Sequence, residues 1–380
     1  MQTKKYKFAF IIERYFEFGG QQRDMLRFAK ATVARGHSVT VFTTSWSGAD
    51  DPEIAVEIIP AKASSNHKTM RNIERFAGEL RSQKKFDCIV GFSRIGGLGV
   101  YFAADAVLRE RLIASGKYWR RFLPRYATYL KLEANTFSPE AETQICALSE
   151  NQRAHIIKHY NTPADRITVL SPGINRDAIN AANLTLQERS EFRNSLGVSD
   201  EKIMLLTVAA DFKTKGVDRS VRAIASLPAE LREKVIYVVA GPGKPKTILP
   251  LAKKLGIEKQ LVFVGAQSQV GKFYHAADLL IHPARNENTG LTLLEALASG
   301  APVLVTENCG YAHYISDANG GRVLRGDFDQ QLLNRELQAL LSDLPALKKL
   351  GQNAKIFCQT ADISSMTKQF VDLLENACQK

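Results

Sequence analysis

Two glutamates, Glu287 and Glu295, lie eight positions apart beside an apolar stretch, and both could bind a ligand. A buried carboxylate without a partner is costly, and an ionised carboxylate can only accept hydrogen bonds. Hydroxyl groups of a sugar or a ribose are suitable donors to it. The pair therefore predicts a site for a polyhydroxylated ligand, although an acidic residue in an apolar helix can also lie on the exposed edge of an amphipathic face.

The chain around the two glutamates predicts an apolar strand, a polar loop and an apolar helix. The strand covers Leu279–His282 and the helix covers Thr289–Ser299. Gly300 and Pro302 follow, which is the usual signal for the end of a helix. Glu287 is thereby placed in the loop, and Glu295 in the helix.

The start of that helix is a candidate phosphate site. Asn288 or Thr289 is expected to cap it. The unpaired first-turn N–H groups are then those of Gly290, Leu291 and Thr292. Together with the positive end of the helix dipole, these donors favour an anionic ligand.

A glycine pair, Gly19 and Gly20, marks another turn from strand to helix. It follows the apolar strand Lys7–Ile12 and opens the helix Gln21–Arg35. Glycines at such a turn let backbone N–H groups approach a ligand closely, but a plain turn is an equal interpretation. The third glycine of the dinucleotide fingerprint is missing, which argues against a nicotinamide cofactor. Asp24, one helical turn further on, is near enough to face the same ligand.

Two lysines, Lys213 and Lys215, lie in a loop before a third helix start. They could neutralise a diphosphate leaving group without a metal, or simply belong to a basic loop. The run Asp327-Phe328-Asp329 resembles the DxD motif of metal-dependent sugar transferases. It precedes a helix, however, and Asp329 is better interpreted as its N-cap. No metal site is therefore expected.

The segment 106–135 combines basic and aromatic residues, and its stretch Arg109–Lys131 contains a single acid, Glu110. Its candidate membrane contacts are Arg109, Arg111, Lys117, Trp119, Arg120, Arg121 and Arg125. Aromatic rings at headgroup level and cations on anionic lipid are what an interfacial segment needs. Nucleic-acid binding or a solvated basic helix would use the same residue types. Pro124 should divide any helix here in two. Asp105, just before the segment, is by itself more typical of a helix cap.

Strands alternate with helices along the whole chain, so both halves predict a parallel, doubly wound sheet of the α/β class. The Pro-Gly turn at 172–173 is the natural linker. We expect a domain at 1–172 that binds the acceptor and contains the membrane segment. A second domain at 173–380 is expected to bind the nucleotide sugar, and its last helix can pack back on the first domain.

The amino-acid composition narrows the possible classes of protein. The chain has 380 residues, 45% of them hydrophobic, with a formal net charge of +12. It has no run of about 18 apolar residues that could span a membrane. The first apolar run breaks at Glu13, too early for a signal peptide. Five scattered cysteines fit free thiols in a reducing compartment. The positive charge argues for an anionic partner without choosing among nucleic acid, lipid and phosphorylated glycan.

The motifs together resemble glycosyltransferase family 4, whose members are retaining enzymes of the GT-B fold. The signature is a strand followed by HPxxxE, a small-residue loop, an apolar helix with the second glutamate, and SGAPV. Within the family the chain is similar to the glucosyltransferases of the lipopolysaccharide inner core. The segments that carry this similarity are Phe16–Asp24, Val90–Phe92, Val100–Asp105, Lys158–Tyr160, Lys215–Ser220 and Cys309–Ile315.

The resemblance implies roles for individual residues. Gly19 and Gly20 would contact the donor, with Asp24 beside the transferred sugar. Asp105 would stand where many members carry a histidine. Lys215 would hold the diphosphate, Glu287 the glucose hydroxyls and Glu295 the ribose. The basic aromatic segment corresponds to the membrane-interacting region of the family.

The implied reaction is transfer of glucose from UDP-glucose to a heptose, without a metal or other cofactor. The implied partners are a UDP-sugar, the lipopolysaccharide core and an anionic membrane, and not nucleic acid. The implied location is the cytoplasmic face of the bacterial inner membrane. Another UDP-sugar or a lipid-linked acceptor remains open, as does nucleic-acid binding on charge alone.

The chain departs from the family at two places. Many members have an arginine five residues before the phosphate lysine, where this chain has Ala210, and Lys213 is a candidate to compensate. The loop after Gly173 also differs, and the donor contact that the resemblance implies there is Arg176.

Overall fold

The structure is a computed structural model that describes residues 4–17, 19–49 and 51–379. The chain divides into two compact units. The first reaches to Ser171 and takes in the chain from Ser365 onward, and the second covers Pro172–Ser364. The chain thus passes from the first unit to the second next to the predicted Pro-Gly turn. It returns to the first unit just before its last helix.

The elements follow one another in the alternating order that the sequence predicts. The strands are β1 (Lys7–Ile11), β2 (Tyr15–Phe16), β3 (Ser38–Thr43), β4 (Trp46–Ser47), β5 (Ala55–Ile58), β6 (Cys88–Gly91), β7 (Val100–Phe102), β8 (Gln144–Ala147), β9 (Ile167–Val169), β10 (Ile203–Val208), β11 (Val235–Ala240), β12 (Leu261–Gly265), β13 (Leu279–His282), β14 (Val303–Thr306) and β15 (Gly321–Leu324). The helices are α1 (Gly20–Ala34), α2 (Asn66–Ser82), α3 (Leu108–Ala114), α4 (Pro124–Phe137), α5 (Glu150–Tyr160), α6 (Arg176–Ala181), α7 (Leu186–Ser195), α8 (Val217–Ala225), α9 (Ala229–Lys234), α10 (Leu249–Lys254), α11 (Val270–Ala276), α12 (Leu291–Ser299), α13 (Ala312–Asp317), α14 (Gln330–Ser342), α15 (Leu344–Thr360) and α16 (Met366–Ala377).

The first unit contains a seven-stranded parallel sheet in the order β5, β3, β1, β6, β7, β8, β9. Its central strand β1 is covered on both faces. Phe8 and Phe10 pack into one core with α1 and α16, whereas Ala9 and Ile11 pack into the other with α2 and α4. Such double coverage explains why these strands are nearly continuous apolar runs.

The helix α16 is an integral part of the first unit. The ring of Phe370 on α16 stacks on that of Phe28 on α1, with centroids 4.1 Å apart. Glu375 forms an ion pair with Arg35 at 3.0 Å and accepts a hydrogen bond from His37 at 2.9 Å. Phe370 is fully buried, so the helix supplies core and not only surface.

The second unit contains a six-stranded parallel sheet in the order β12, β11, β10, β13, β14, β15. The neighbouring strands β10 and β13 end at Val208 and His282. The loops that follow these two strands therefore leave the same edge of the sheet. They are the loops that contain Lys215 and Glu287. In open parallel sheets, ligands bind at this edge.

Glycines interrupt the apolar pattern before one strand, which the sequence analysis does not predict. Val100–Phe102, directly after glycines at 96, 97 and 99, forms β7 in the interior of the first sheet. Of the described residues, no helix is both long enough and apolar enough to cross a membrane.

Candidate active site

The helix α12 begins later than expected and is not capped by a side chain. Its first residue is Leu291, and its N-cap is Gly290, which has a φ of +98°. The prediction that Asn288 or Thr289 caps the helix is therefore wrong. The left-handed backbone at Gly290 makes the entry turn instead, a conformation that favours glycine. The Thr289 carbonyl accepts a hydrogen bond from the Tyr311 N–H at 2.8 Å, which fixes the loop.

The carboxylate of Glu287 has two side-chain partners in the second unit, Lys215 and His282. It contacts the ammonium group of Lys215, and His282 Nε2 lies 3.3 Å from it. His282 is fully buried and the Glu287 side chain is only 14% exposed. Burial alone would raise the pKa of Glu287, but the hydrogen bond with His282 and the charge of Lys215 outweigh it and lower the pKa to about 2. Glu287 is therefore an anion at all physiological pH values.

The loop before α8 gives Lys215 a fixed position. The Asp211 carboxylate accepts a hydrogen bond from the Thr214 N–H at 2.6 Å, which closes the turn. Gly216 has a φ of +73°, and a Cβ there would lie 2.1 Å from the Pro283 carbonyl oxygen. Only glycine fits so close to the end of β13. The loop is thus pressed against the segment that leads to Glu287.

Arg285 fastens the same two loops together. Its guanidinium donates to both oxygens of Asp218 at 2.7 Å and to the Lys213 carbonyl at 2.7 Å. The Lys213 side chain is exposed. The Lys213 backbone thus contacts Arg285, whereas the Lys215 side chain contacts the Glu287 carboxylate.

Glu295 also has a partner, Tyr274 on α11. The Tyr274 hydroxyl donates to the Glu295 carboxylate at 2.7 Å. Burial raises the pKa of Tyr274 well above its usual value, and the charge of Glu295 adds to this effect. Tyr274 therefore stays protonated and orients the carboxylate. In the first turn of α12, the buried hydroxyl of Thr292 has no hydrogen-bond partner among the described residues.

Two residues of this region have no role in the sequence analysis, His282 and Tyr274, and Thr292 has one there only through its backbone N–H group. His282 lies in the HPxxxE motif, so the motif itself contained a signal for it. The partner of Glu295 comes from another helix, 21 positions earlier, and no local pattern indicates it.

In the first unit, Gly19 and Gly20 open α1, as expected, with Gly19 as N-cap and no side-chain cap. A Cβ on Gly19 would lie 2.8 Å from the Phe16 ring, whereas a Cβ on Gly20 would meet nothing within 4 Å. The Asp24 carboxylate pairs with Arg27 at 2.9 Å. Burial raises the pKa of Asp24 although Arg27 opposes this effect.

Asp105 is not a helix cap, because Val107 is the N-cap of α3. Its side chain is 72% exposed and lies 3.4 Å from Arg94. Arg94 also contacts Glu133, which is fully buried. The Asp105 backbone is fixed by Gln152, whose amide donates to its carbonyl at 2.9 Å. Asp105 thus presents an exposed carboxylate on a fixed backbone.

Arg176 has a structural role in the second unit. Its guanidinium donates to the carbonyls of Cys358 and, at 2.7 Å, Ala361, at the end of α15. Its Nε lies 3.3 Å from the Ser364 hydroxyl. Arginine at a helix C-terminus satisfies carbonyls that the helix leaves unpaired. The donor contact predicted for Arg176 has no support in this arrangement.

The basic aromatic segment folds into α3, a 3₁₀ turn at Tyr118–Phe122, and α4. Pro124 is the first residue of α4, so the predicted break at this proline is confirmed. Trp119 and Phe122 are 60% and 75% exposed. The Arg121 guanidinium lies over the Tyr118 and Phe122 rings, 4.5 and 4.8 Å from their centroids.

The predicted membrane contacts differ in their surroundings. Lys117, Trp119, Arg121 and Arg125 are exposed, and Arg120 donates to the Tyr126 hydroxyl at 3.1 Å. Arg109 is different, because it donates to the His159 carbonyl at 3.0 Å and covers the Tyr160 ring. Arg109 therefore packs against α5, which argues against its predicted role in membrane contact.

The DxD-like run proved to be a helix start. The Asp329 carboxylate caps α14 by accepting a hydrogen bond from the Gln331 N–H at 2.8 Å, which confirms the predicted N-cap. In the part of the chain that the structure describes, no three His, Cys, Asp or Glu residues are grouped so that they could hold a metal ion.

Comparison with known proteins identifies relatives along the whole chain. The family profile of glycosyltransferase family 4 matches residues 18–178, and that of glycosyl transferases group 1 matches residues 188–357. The lipopolysaccharide glucosyltransferase WaaG of Escherichia coli K12 is 40% identical over 370 residues, which are 96% of this chain and 98% of that protein.

Solved structures agree with the sequence relatives. The crystal structure of WaaG, a glycosyltransferase involved in lipopolysaccharide biosynthesis, matches with a TM-score of 0.88 and 37% identity, over 96% of this chain and 99% of that one. HepE of Anabaena, solved with UDP and glucose, matches with a TM-score of 0.73 and 17% identity, over 98% of this chain and 100% of that one. The second likeness concerns the fold alone.

Proposed function

This chain belongs to glycosyltransferase family 4 and has the GT-B fold, and from this premise we propose that it transfers glucose from UDP-glucose to a heptose of the lipopolysaccharide inner core, with retention of configuration. The observation that supports this most is the contact between Lys215 and Glu287 at the edge of the second sheet. A cation beside a buried carboxylate supports a site for a diphosphate next to sugar hydroxyls.

In the proposed donor site, the diphosphate lies against Lys215 and the start of α12. The donors there are Lys215 and the backbone N–H groups of the first helical turn, with Asn288, Thr289, Gly290 and Leu291 forming the entry. Charge that develops on the departing UDP is stabilised by groups that are already in position. The unpartnered Thr292 hydroxyl is a further donor for this phosphate.

The two glutamates are proposed to hold the two ends of the donor. Glu287 accepts hydrogen bonds from glucose hydroxyls and, because its pKa is about 2, remains an acceptor throughout the working pH range. Glu295, oriented by Tyr274, accepts from the ribose. Lys213 adds positive charge where the family arginine is replaced by Ala210.

Retention is proposed to follow from attack on the same face that UDP leaves. A phosphate oxygen of the departing UDP accepts the proton of the heptose hydroxyl, so the reaction needs no dedicated base. Asp24 and Asp105 orient the reacting groups, and Gly19 and Gly20 leave room for the donor. We expect no metal requirement.

We also propose that the protein works at an anionic membrane surface, on the cytoplasmic face of the bacterial inner membrane. The exposed Trp119 and Phe122 rings beside Arg120 and Arg121 support this, because such a surface suits the headgroup region of a bilayer.

The test is incubation with radiolabelled UDP-glucose, UDP-galactose or UDP-N-acetylglucosamine and lipopolysaccharide truncated at the heptose. We expect label from UDP-glucose alone in the product, and an α-linkage by NMR. Transfer from one of the other donors would show that its sugar, and not glucose, is the one transferred. Absence of transfer from all three would overturn the proposal.

A further inference from the structure

The first unit contains a pocket of about 440 Å³ at the carboxyl ends of its strands. Residues after β1, β6 and β7 line it, together with residues of α1, α3 and α4. Asp105, the carboxylate proposed to orient the reacting groups, is one of them. The remaining wall is unusually rich in arginine.

Four arginines and two acids face this pocket: Arg14, Arg94, Arg111, Arg125, Glu13 and Asp105. Two of the arginines already have carboxylate partners. Arg14 lies 3.8 Å from Glu13, and Arg94 lies 3.4 Å from Asp105 and contacts Glu133. The charge of Arg94 is therefore compensated within the protein, and Arg14 has one acidic neighbour.

Arg111 and Arg125 are in a different situation. They come from separate helices, α3 and α4, and both are exposed. Among the described residues, neither has a carboxylate oxygen within 4.0 Å, so neither forms an ion pair. Tyr126 and Tyr129 line the same wall, and the Arg125 guanidinium lies 6.0 Å from the Tyr129 ring centroid. Two uncompensated guanidinium groups thus converge on one cavity.

We propose that this pocket binds an anionic substituent of the sugar acceptor, a phosphate monoester or a sugar-acid carboxylate, with Arg111 and Arg125 as its ligands. This inference rests on the proposed function. A guanidinium group donates two parallel hydrogen bonds to an oxyanion, which suits both kinds of substituent. The acceptor sugar then lies toward Asp105 in the same pocket.

Arg111 and Arg125 then bind the acceptor and not the membrane, although membrane contact is the role predicted for them from the sequence. Lipid phosphates have the same chemistry, but a pocket that also contains Asp105 fits a sugar better than a lipid headgroup. The rings that would enter a bilayer, Trp119 and Phe122, do not line this pocket. Membrane binding and acceptor selectivity should therefore be separable by mutation.

The experiment uses a lipid-free, heptose-containing core oligosaccharide, so that membrane binding cannot contribute. It is offered intact, after phosphatase treatment, and after reduction of its carboxylates to alcohols. Acceptor KM and kcat are measured for the wild type, Arg111→Gln, Arg125→Gln and the double variant. Arg71→Gln, which also removes an exposed arginine of the first unit, is the matched control.

We expect the wild type to prefer the intact acceptor, and whichever treatment abolishes the preference identifies the group. Each variant should raise the KM for acceptors that keep this group about tenfold and leave the KM for the acceptor that has lost it unchanged, as for loss of a charge-assisted hydrogen bond. Arg111→Lys should recover part of the loss. Thermal melting of each variant separates these effects from unfolding.

Two results would overturn the inference. One is a wild type that transfers glucose equally well to all three acceptors. The other is a pair of variants that keep the preference but bind less well to vesicles of anionic phospholipid, which would return both arginines to the membrane surface. Failure of the proposed function itself looks different, because then no acceptor receives glucose from the wild type.

Discussion

The ammonium group of Lys215 contacts the carboxylate of Glu287, 72 positions further along the chain. The two residues come from loops after β10 and β13, which are neighbours in the second sheet. The contact keeps the Glu287 carboxylate ionised and holds both side chains at one edge of the sheet. A cation for phosphate and an anion for hydroxyls are thus positioned by each other as well as by the fold.

Lys215→Ala should lower kcat about 100-fold, because it removes a charge proposed to stabilise the departing UDP. It also leaves Glu287 with His282 as its one remaining partner in the described structure, so the melting temperature should fall as well. Steady-state kinetics with UDP-glucose and thermal melting measure the two effects. Lys213→Ala, at an exposed neighbour, should have a much smaller effect on both. Equal loss in the two variants would contradict the distinct role of Lys215.

Glu287 should make stability depend on pH in acid. Its pKa is about 2 in the folded protein, against 4.5 as the ordinary value. A folded-state pKa below the unfolded one stabilises the protein above about pH 4.5, and this contribution is lost as the pH falls toward 2. The full effect is about 3 kcal/mol. Urea unfolding of wild type and Glu287→Gln at pH 6 and pH 3 should show a gap that narrows in acid, and a constant gap would contradict this.

Gly19 and Gly20 should respond differently to alanine. A Cβ at position 19 would collide with the Phe16 ring, so Gly19→Ala should destabilise the protein by about 1 kcal/mol. Position 20 is open and begins α1, so Gly20→Ala should stabilise it by about 0.5 kcal/mol.

Activity then distinguishes ligand contact from packing at this turn. If the donor approaches the Gly20 backbone as proposed, Gly20→Ala should raise the KM for UDP-glucose several-fold in a protein that is not destabilised. An unchanged KM in the folded variant would leave the turn with a structural role alone.

Trp119 and Phe122 should carry much of the binding to membranes. Replacing both by alanine should weaken binding to anionic vesicles roughly tenfold or more, because each exposed ring would no longer be buried among lipids. Cosedimentation with phosphatidylglycerol vesicles measures this, and added salt should weaken the wild type further. Leu186→Ala is the control, since Leu186 is 89% exposed in the second unit. If the control lost as much binding, the segment would not be the membrane contact.

Much of the fold could be predicted because the buried parallel strands are short, continuous apolar runs. The bounds of β13 agree with the prediction residue for residue, and those of β1 differ from it by one residue. The strand β7 was missed because glycines precede it and hide its apolar core. The start of α12 was misplaced because a left-handed glycine, rather than a polar side chain, forms its cap.

The candidate site was predictable in its residue types but not in its pairings. Glu287 and Lys215 were each found from local motifs, yet nothing local shows that they touch. Arg176 was predicted to contact the donor, whereas its guanidinium donates hydrogen bonds to carbonyls at the end of α15. Arg111 and Arg125 were grouped with exposed neighbours because a linear pattern cannot distinguish a pocket wall from an open surface.

The position of α16 has a consequence for how the protein is made. A ribosome completes the second unit before it delivers the helix that finishes the first, because α16 follows that unit in the chain. Until then Phe28 lacks the ring of Phe370, and the face of the seven-stranded sheet that α1 covers stays partly open. The first unit to be synthesised is therefore the last to mature, and during translation its open apolar face is the surface that a chaperone would shield.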